Sequence, residues 1–175
     1  MEHLTLCVLS QDSTDIFVDL TKFATDCDCN IINTWFHRAG DQTITTLNIE
    51  GSWNEIAKFE THLEHIEENY NASIIFGRTE ITPEKKNALP YTVYITGLNR
   101  KGTLHQVTKF FEIHGAILNE IYSDVNYTRK TQTPILSISL HITLPAESSI
   151  AEFREQFFLF CDNLNLDGML EVEKN

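Results

Sequence analysis

The sequence predicts an α+β protein built from two copies of one small domain, and a repeated pattern is the main reason. Thr5–Leu9 reappears as Thr92–Thr96, and after the same interval Leu20–Phe23 reappears as Val107–Phe110. The order of predicted strands and helices is also the same in the two halves. A chain of 175 residues is long enough for two domains near the lower size limit. Units of this length indicate duplication of a domain, since the units of solenoids are shorter.

The first half, over residues 1–79, predicts the order strand, helix, strand, strand, helix, strand. Asp12 is predicted to cap the first helix, and Gly40-Asp41 marks a turn between two strands. Ser52 and Glu55 have the spacing of a capping box, in which each side chain accepts a backbone N–H of the other residue. The elements are a strand over His3–Ser10, a helix with Ile16, Leu20, Phe23 and Cys27 on its apolar face, strands over Asn30–His37 and Gln42–Glu50, a helix with Trp53, Ile56, Phe59, Leu63, Ile66 and Tyr70 on its apolar face, and a strand over Ala72–Gly77.

The second half repeats this plan over residues 91–175, after a polar linker of residues 80–90. Its clearest strand is Leu136–Ile142, where large apolar residues alternate with small or polar ones. Ser149 and Glu152 repeat the capping-box spacing. The polar segment Asn126–Thr133 predicts an extended, mobile hairpin tip. The other clear elements are a strand over Tyr91–Gly97 and a helix marked by Leu104, Val107, Phe111 and His114.

The order βαββαβ predicts the ferredoxin-like fold twice, each time an antiparallel sheet of four strands with both helices on one face. Neighbouring residues of a strand point to opposite faces of the sheet. Trp35 and Phe36 therefore cannot both face the helices, and the second face of the first sheet carries large apolar groups that need a cover. The sister domain or the linker would supply that cover, or else a partner protein or a second chain, and the sequence leaves both alternatives open.

The composition argues against several functions. A net charge of −12 disfavours direct nucleic-acid binding, which needs clustered Lys and Arg. No apolar run of the sequence has the form of an export signal or of a membrane span. The four cysteines lie in or beside apolar segments, as reduced thiols do. We therefore expect a cytoplasmic protein that uses no cofactor and contacts no membrane.

The sequence predicts that the protein is not an enzyme, because no pair of residues is recognisable as a catalytic nucleophile with its general base. His62 and His65 lie at i, i+3 on one predicted helix face. A structural zinc site needs four ligands, and solvated surface positions explain these two histidines as well. Cys27 and Cys29 lack the two-residue gap of redox and zinc motifs, so buried thiols are favoured over a metal site.

The loop after the first strand of each half is the candidate binding site. In the second half, Asn99–Gly102 leads into a helix, and Gly102 lets a ligand approach the backbone closely. Free N–H groups at a helix start suit the carboxylate of an amino acid. The matching stretch Asp12–Asp15 lacks Gly and carries two carboxylates, which would repel an anion. A plain capped turn is the alternative for both loops.

Two segments carry a resemblance to a known family. Cys27-Asp28-Cys29-Asn30-Ile31 after the first helix and Gly51-Ser52-Trp53-Asn54 at the start of the second, together with the tandem units, resemble the ACT-domain regulators of the glycine cleavage system transcriptional repressor family. The resemblance covers nearly the whole chain. It implies two ACT domains and a protein that restrains a transcriptional activator by protein–protein contact, with glycine relieving the restraint.

The resemblance also implies positions for an amino-acid ligand, where the first strand of an ACT domain meets its first helix and often at an interface between domains. These positions are Asp12 and Asn30 in the first half, and Asn99, Gly102 and Ile117 in the second. The sequence departs from the family pattern at Thr14-Asp15, where a small pair such as Pro-Gly is usual. Edge pairing between two chains would give a homodimer. The alternative function is a ligand-free adaptor that binds through the Trp35/Phe36 face and the hairpin near Arg129.

Overall fold

The structure is a computed structural model that describes residues 1–11, 14–80 and 89–173. The chain forms two compact units, one from each half of the sequence. The strand that opens the second unit begins at Leu89, inside the predicted linker, and linker residues 81–88 lie outside the described residues. The prediction that Asp12 caps the first helix also falls outside them.

The described part of the first unit contains the predicted elements in the predicted order. A tight turn at Gly40, with a backbone φ of 69°, joins its second and third strands. The elements are β1 (Glu2–Gln11), α1 (Asp15–Asp26), β2 (Asn30–Ala39), β3 (Gln42–Gly51), α2 (Trp53–Tyr70) and β4 (Ser73–Thr79).

The second unit has the same order of elements. Its β6–β7 hairpin tip is tied together by side chains, because the Thr131 hydroxyl bonds those of Thr128 and Thr133, and the Thr133 N–H donates to Thr128 Oγ1 at 2.9 Å. The elements are β5 (Leu89–Leu98), α3 (Thr103–Ile113), β6 (Ile117–Tyr127), β7 (Pro134–Leu144), α4 (Ile150–Leu164) and β8 (Leu166–Val172).

Both sheets have the strand order of the ferredoxin-like fold, and the predicted fold class is confirmed. The orders are β2-β3-β1-β4 and β6-β7-β5-β8, with every neighbouring pair antiparallel. The first strand of each unit is therefore central, and the second and fourth strands form the edges. A bulge in each second strand, between Ile31 and Asn33 and between Leu118 and Glu120, shifts the register near its start.

Alternation along the central strands places one core in each unit between the sheet and its two helices. In β1, Leu4, Leu6 and Val8 are buried, whereas Cys7 and Leu9 on the opposite face are exposed. The helices contribute the predicted apolar stripes. The buried helix residues of the first unit are Ile16, Leu20 and Ala24 from α1 and Ile56, Phe59, Leu63 and Ile66 from α2.

The second core is rich in phenylalanine. Phe110 and Phe111 of α3 meet Phe153 and Phe157 of α4, with ring centroids 5.8–6.2 Å apart. Such aromatic contacts stabilise a core beyond the burial of area alone. The alternation predicted for β7 is confirmed, since Leu136, Ile138, Leu140 and Ile142 are all buried.

The helix starts agree only in part with the predictions. Ser52 and Glu55 form the full capping box. At α4 only one half of the predicted box is present, the Glu152 N–H donating to Ser149 Oγ at 3.4 Å. Thr14 occupies the N-cap position of α1 and makes no side-chain cap bond. Trp53 is not a core residue as predicted; it is 61% exposed and lies 5.4 Å from the Arg78 guanidinium.

Candidate functional site

The loop that leads from β5 into α3 has a fixed backbone. The Asn99 N–H donates to Pro134 O at 2.9 Å, which anchors the loop to the start of β7. Thr103 donates both its N–H, at 3.2 Å, and its hydroxyl, at 3.0 Å, to Arg100 O. Between these residues Gly102 takes a backbone φ of 85°. This left-handed conformation is unfavourable for any residue that has a side chain. The sequence therefore needs Gly102 for the turn itself.

The start of α3 offers backbone donors to a ligand. The Gln106 N–H donates to Gly102 O at 3.0 Å and begins the helical bonding. Within the described ranges, the N–H groups of Leu104 and His105 have no hydrogen-bond partner. A Cβ built on Gly102 would meet no atom within 4 Å, so the space above the loop is open. Two free N–H groups beside open space, at the positive end of a helix dipole, suit a carboxylate.

The neighbouring charges favour an anion at the start of α3 in the second unit and disfavour one at the start of α1 in the first. Arg100 and Lys101 are exposed next to the start of α3, whose first turn carries no acidic residue. The first turn of α1 instead carries Asp15, beside Thr14, whose hydroxyl accepts a bond from the Arg38 guanidinium at 3.5 Å. The charges near the described helix starts suit an anion better at the second loop than at the first, and an amino-acid ligand there stays a prediction.

Three predicted ligand positions remain. Asp12 lies outside the described residues, and Asn30 and Ile117 lie beside the starts of the first strands of their units. Asn30 pairs with Glu50, which faces His3 at the start of β1, and the Asn30 amide donates to Glu50 Oε1 at 2.9 Å. Ile117 pairs with Thr143, which faces Pro90 near the start of β5. With a rise of about 3.3 Å per residue, each lies about 26 Å along the sheet from the end of the first strand of its unit. A single unit therefore does not bring Asn99, Gly102 and Ile117 into one site.

A separate feature, a hollow of about 350 Å³, lies on the face of the second sheet that is turned away from the helices. Strand register explains it, because Tyr122, Ser139, Tyr94 and Met169 stand side by side across β6, β7, β5 and β8. The short Ser139 between two tyrosines leaves a gap, and Ser137 lengthens the gap along β7. The alternation of Ser137 and Ser139 with large apolar residues was the only sign of this hollow in the sequence.

The histidines and cysteines considered as metal ligands take part in other contacts. His62 stacks on Phe23 with ring centroids 4.9 Å apart, and His65 Nε2 lies 3.0 Å from the Asn69 amide nitrogen. Burial raises the pKa of the Cys29 thiol to about 11 and also raises that of Cys27. Among the described residues, no group of three or more His, Cys, Asp or Glu side chains is arranged to hold a metal ion. None of the described helices has the length and apolar character needed to cross a membrane.

Two βαββαβ units in tandem, each with this strand order, define a protein of two ferredoxin-like domains. No protein-family profile matches the chain. It is similar to the glycine cleavage system transcriptional repressors of Escherichia coli (strain K12) and Shigella flexneri, with 22% identity over 170 residues, 97% of this chain and 90% of each relative. The predicted resemblance to these repressors is confirmed, and this similarity supports a regulatory role.

Solved structures agree with the fold over the full chain. A crystal structure described as a candidate glycine cleavage system transcriptional repressor matches with a TM-score of 0.70 and 21% identity, covering 99% of this chain and 98% of that one. An unknown protein from Galdieria sulphuraria matches with a TM-score of 0.77 and 14% identity, covering 99% of both chains. At these identities the likeness shows the fold alone.

Proposed function

We propose that the chain is a cytoplasmic regulatory protein that restrains a transcriptional activator by protein–protein contact and senses a small amino acid such as glycine. The similarity to glycine cleavage system repressors over 97% of the chain supports the regulatory role. The observation that carries the sensing role is the start of α3, where the free N–H groups of Leu104 and His105 lie beside open space and exposed basic residues.

The ligand carboxylate would accept bonds from the Leu104 and His105 N–H groups, and Arg100 and Lys101 would add attraction. Hydrogen bonds to charged groups contribute about 1.5–3 kcal/mol each. A ligand changes regulation only if it binds one state of the protein more tightly than the other, and such couplings are typically about 1–3 kcal/mol. A contact of this size is sufficient to bias partner binding when it forms in only one of the two states.

The test is thermal unfolding of the full chain against each of the twenty amino acids. A ligand at about a hundred times its dissociation constant stabilises the folded state by about 2.7 kcal/mol, which raises the melting temperature by about 5 °C or more. Glycine or a close relative is expected to give this shift. A panel in which no amino acid raises the melting temperature contradicts sensing by this chain.

A matched pair of variants locates the site. Gly102→Ala adds a methyl group to a backbone with φ of 85°, and Gly40→Ala does the same in the β2–β3 turn with φ of 69°; neither Cβ meets an atom within 4 Å. Both variants should lose about 1–2 kcal/mol through backbone strain. Only Gly102→Ala should also lose the rise in melting temperature that the amino acid causes. An equal rise in both variants excludes the Asn99–Gly102 loop as the binding site.

The second candidate is an adaptor that binds its partner without any ligand. It is favoured by Trp35, which is 42% exposed and stacks on His37 with ring centroids 5.3 Å apart, since exposed aromatic residues are typical anchors of interfaces. Binding to the activator that is unchanged by amino acids but lost in Trp35→Ala would favour the adaptor. Binding that amino acids weaken would favour the sensor.

A further inference from the structure

We propose that the hollow on the second sheet is a separate binding site for a small organic cation, a primary amine with an apolar body. Its walls are the rings of Tyr94 and Tyr122 and the side chain of Met169, all about half exposed, so they present apolar surface to the opening. A volume of about 350 Å³ is within the range of small-molecule sites, at its lower end. The site lies on the sheet face opposite the helices, apart from the start of α3.

The charge of this face selects the sign of the ligand. The sequences of β5, β6, β7 and β8 contain neither Lys nor Arg. Register places four carboxylates on the same face as the hollow, those of Glu120, Asp124, Asp167 and Glu171, together with the imidazole of His141. A face with several carboxylates and no cation of its own strands attracts cations and repels anions.

One of these carboxylates lines the hollow itself. Asp167 faces Thr96 across β8 and β5, one rung away from the Tyr94–Met169 pair. Asp124, on the same rung, accepts bonds from the Val125 N–H and the Asn126 amide, each at 2.8 Å. In the described part of the chain, no group donates a hydrogen bond to the Asp167 carboxylate. It is therefore the acceptor available to an ammonium group whose apolar body rests between the two tyrosines.

The tyrosines add a second form of cation recognition. A cation over an aromatic ring is attracted by the electrons of its face, and the flat body of an aromatic amine stacks on a neighbouring ring. Ser139 and Ser137 at the floor supply hydroxyl groups and leave the depth that a larger side chain would fill. These features together fit an arylalkyl or alkyl amine better than a charged amino acid, whose carboxylate would face Asp167.

Three probes that share one body and differ in charge test the proposal by isothermal titration calorimetry on the full chain. Tyramine carries an ammonium group, 4-hydroxyphenethyl alcohol a neutral hydroxyl, and 4-hydroxyphenylacetate a carboxylate. We expect saturable binding of tyramine with a dissociation constant of about 1 mM or tighter, binding of the alcohol weaker by about tenfold or more, and no binding of the acid. Equal binding of all three, or no saturation by tyramine at about 10 mM, overturns the proposal.

Variants assign the binding to the hollow. Asp167→Asn removes the charge at nearly constant size and should weaken tyramine binding by about tenfold or more. Asp162→Asn, the same change at an exposed residue of α4 in the helix layer, is the matched control and should leave binding unchanged. Ser139→Phe should abolish binding by filling the floor, with far-ultraviolet circular dichroism to confirm that the variant folds. Equal effects of the two Asp variants, or tyramine binding that survives in folded Ser139→Phe, overturn the proposal.

The experiments can contradict the proposed function without contradicting the amine site, and the reverse also holds. Gly102→Ala should leave tyramine binding unchanged, and Asp167→Asn should leave the response to glycine unchanged. If the face is instead covered by a second copy of the chain, the protein sediments as a dimer that Ser139→Phe dissociates and tyramine does not bind. That result would overturn the amine site while leaving the test of the α3 loop unaffected.

Discussion

Gly168 of β8 is a position where adding one methyl group should destabilise the second unit. It faces Ile95 across the sheet and lies beneath α4. A Cβ at this position would lie 2.6 Å from Cys161 Sγ and 2.8 Å from Phe157 Cζ. Carbon atoms pack best at about 3.5–4.0 Å, so either the strand or these two buried side chains must move.

Neither neighbour can move freely. Phe157 is fully buried and its ring packs against Phe110 and Phe111, with centroids 6.1 Å away in both cases. Overpacking a core of this kind costs about 1–3 kcal/mol. Ala also lowers the conformational entropy of the unfolded chain, which stabilises the folded state by about 0.4–1 kcal/mol and offsets part of this loss. Gly168→Ala should therefore lower the free energy of unfolding by about 1–2 kcal/mol.

Gly77→Ala is the matched control. Gly77 lies in β4, the corresponding strand of the first unit, and a Cβ there meets no atom within 4 Å. Its backbone is not among those with positive φ. This variant should be neutral or more stable by up to about 1 kcal/mol. The contrast between the two variants therefore isolates the steric contact from the general effect of removing a glycine.

Urea unfolding followed by far-ultraviolet circular dichroism is the assay. Gly168→Ala should lower the midpoint concentration with little change in slope. Adding Cys161→Ala removes the sulfur at 2.6 Å and should cost less in this background than in the wild type, by about 0.5 kcal/mol or more. Equal stability of the Gly168→Ala and Gly77→Ala variants would refute the reasoning, as would strictly additive effects in the double variant.

Three further results are expected. Ser52→Ala removes half of the α2 capping box and should cost about 1 kcal/mol in thermal unfolding. The hydrogen bond from the Tyr70 hydroxyl to Asp19 raises the pKa of Tyr70 from 10.0 to about 12. Because the folded state holds this proton more tightly, the stabilisation is complete below pH 10 and is lost as the pH rises through 12. In an absorbance titration, Tyr70→Phe should show a smaller late transition than the wild type, in which buried Tyr91 also has a raised pKa. The exposed Cys7 thiol should react with a thiol reagent in the folded protein, whereas buried Cys161, whose pKa burial raises to about 11, should react only on unfolding.

The elements of the fold were predictable because they repeat at short sequence distances. The alternation in β7 and the three-to-four spacing in α2 each predict one face in the core, and the structure buries those faces. Trp53 shows the limit of periodicity. It has the spacing of the α2 stripe but lies in the first turn of the helix, where it stays exposed beside Arg78. Helical spacing states which way a side chain points, but not whether the sheet extends far enough to cover it.

The candidate sites were predictable only where they are local. The Asn99–Gly102 loop is one short segment, so its glycine and basic residues could be read directly from the sequence. The hollow depends on the register of four strands, which brings Tyr94, Tyr122 and Ser139 together from distant positions. Register is fixed by tertiary pairing, and no local pattern indicates which residues will share a rung.

The two units also show why a repeated fold does not imply a repeated site. The central core pair Leu6–Leu47 of the first unit corresponds to Val93–Leu140 of the second, and both pairs are buried. On the opposite face, the rung Trp35, Thr46, Cys7 and Ile75 corresponds to Tyr122, Ser139, Tyr94 and Met169. Cys7 is too short to form the second wall that Tyr94 provides. Core positions must keep their polarity and approximate size for each unit to fold, whereas the open faces are free to differ. Among the described residues, the second unit has the aromatic walls and the carboxylates that the proposed amine site requires.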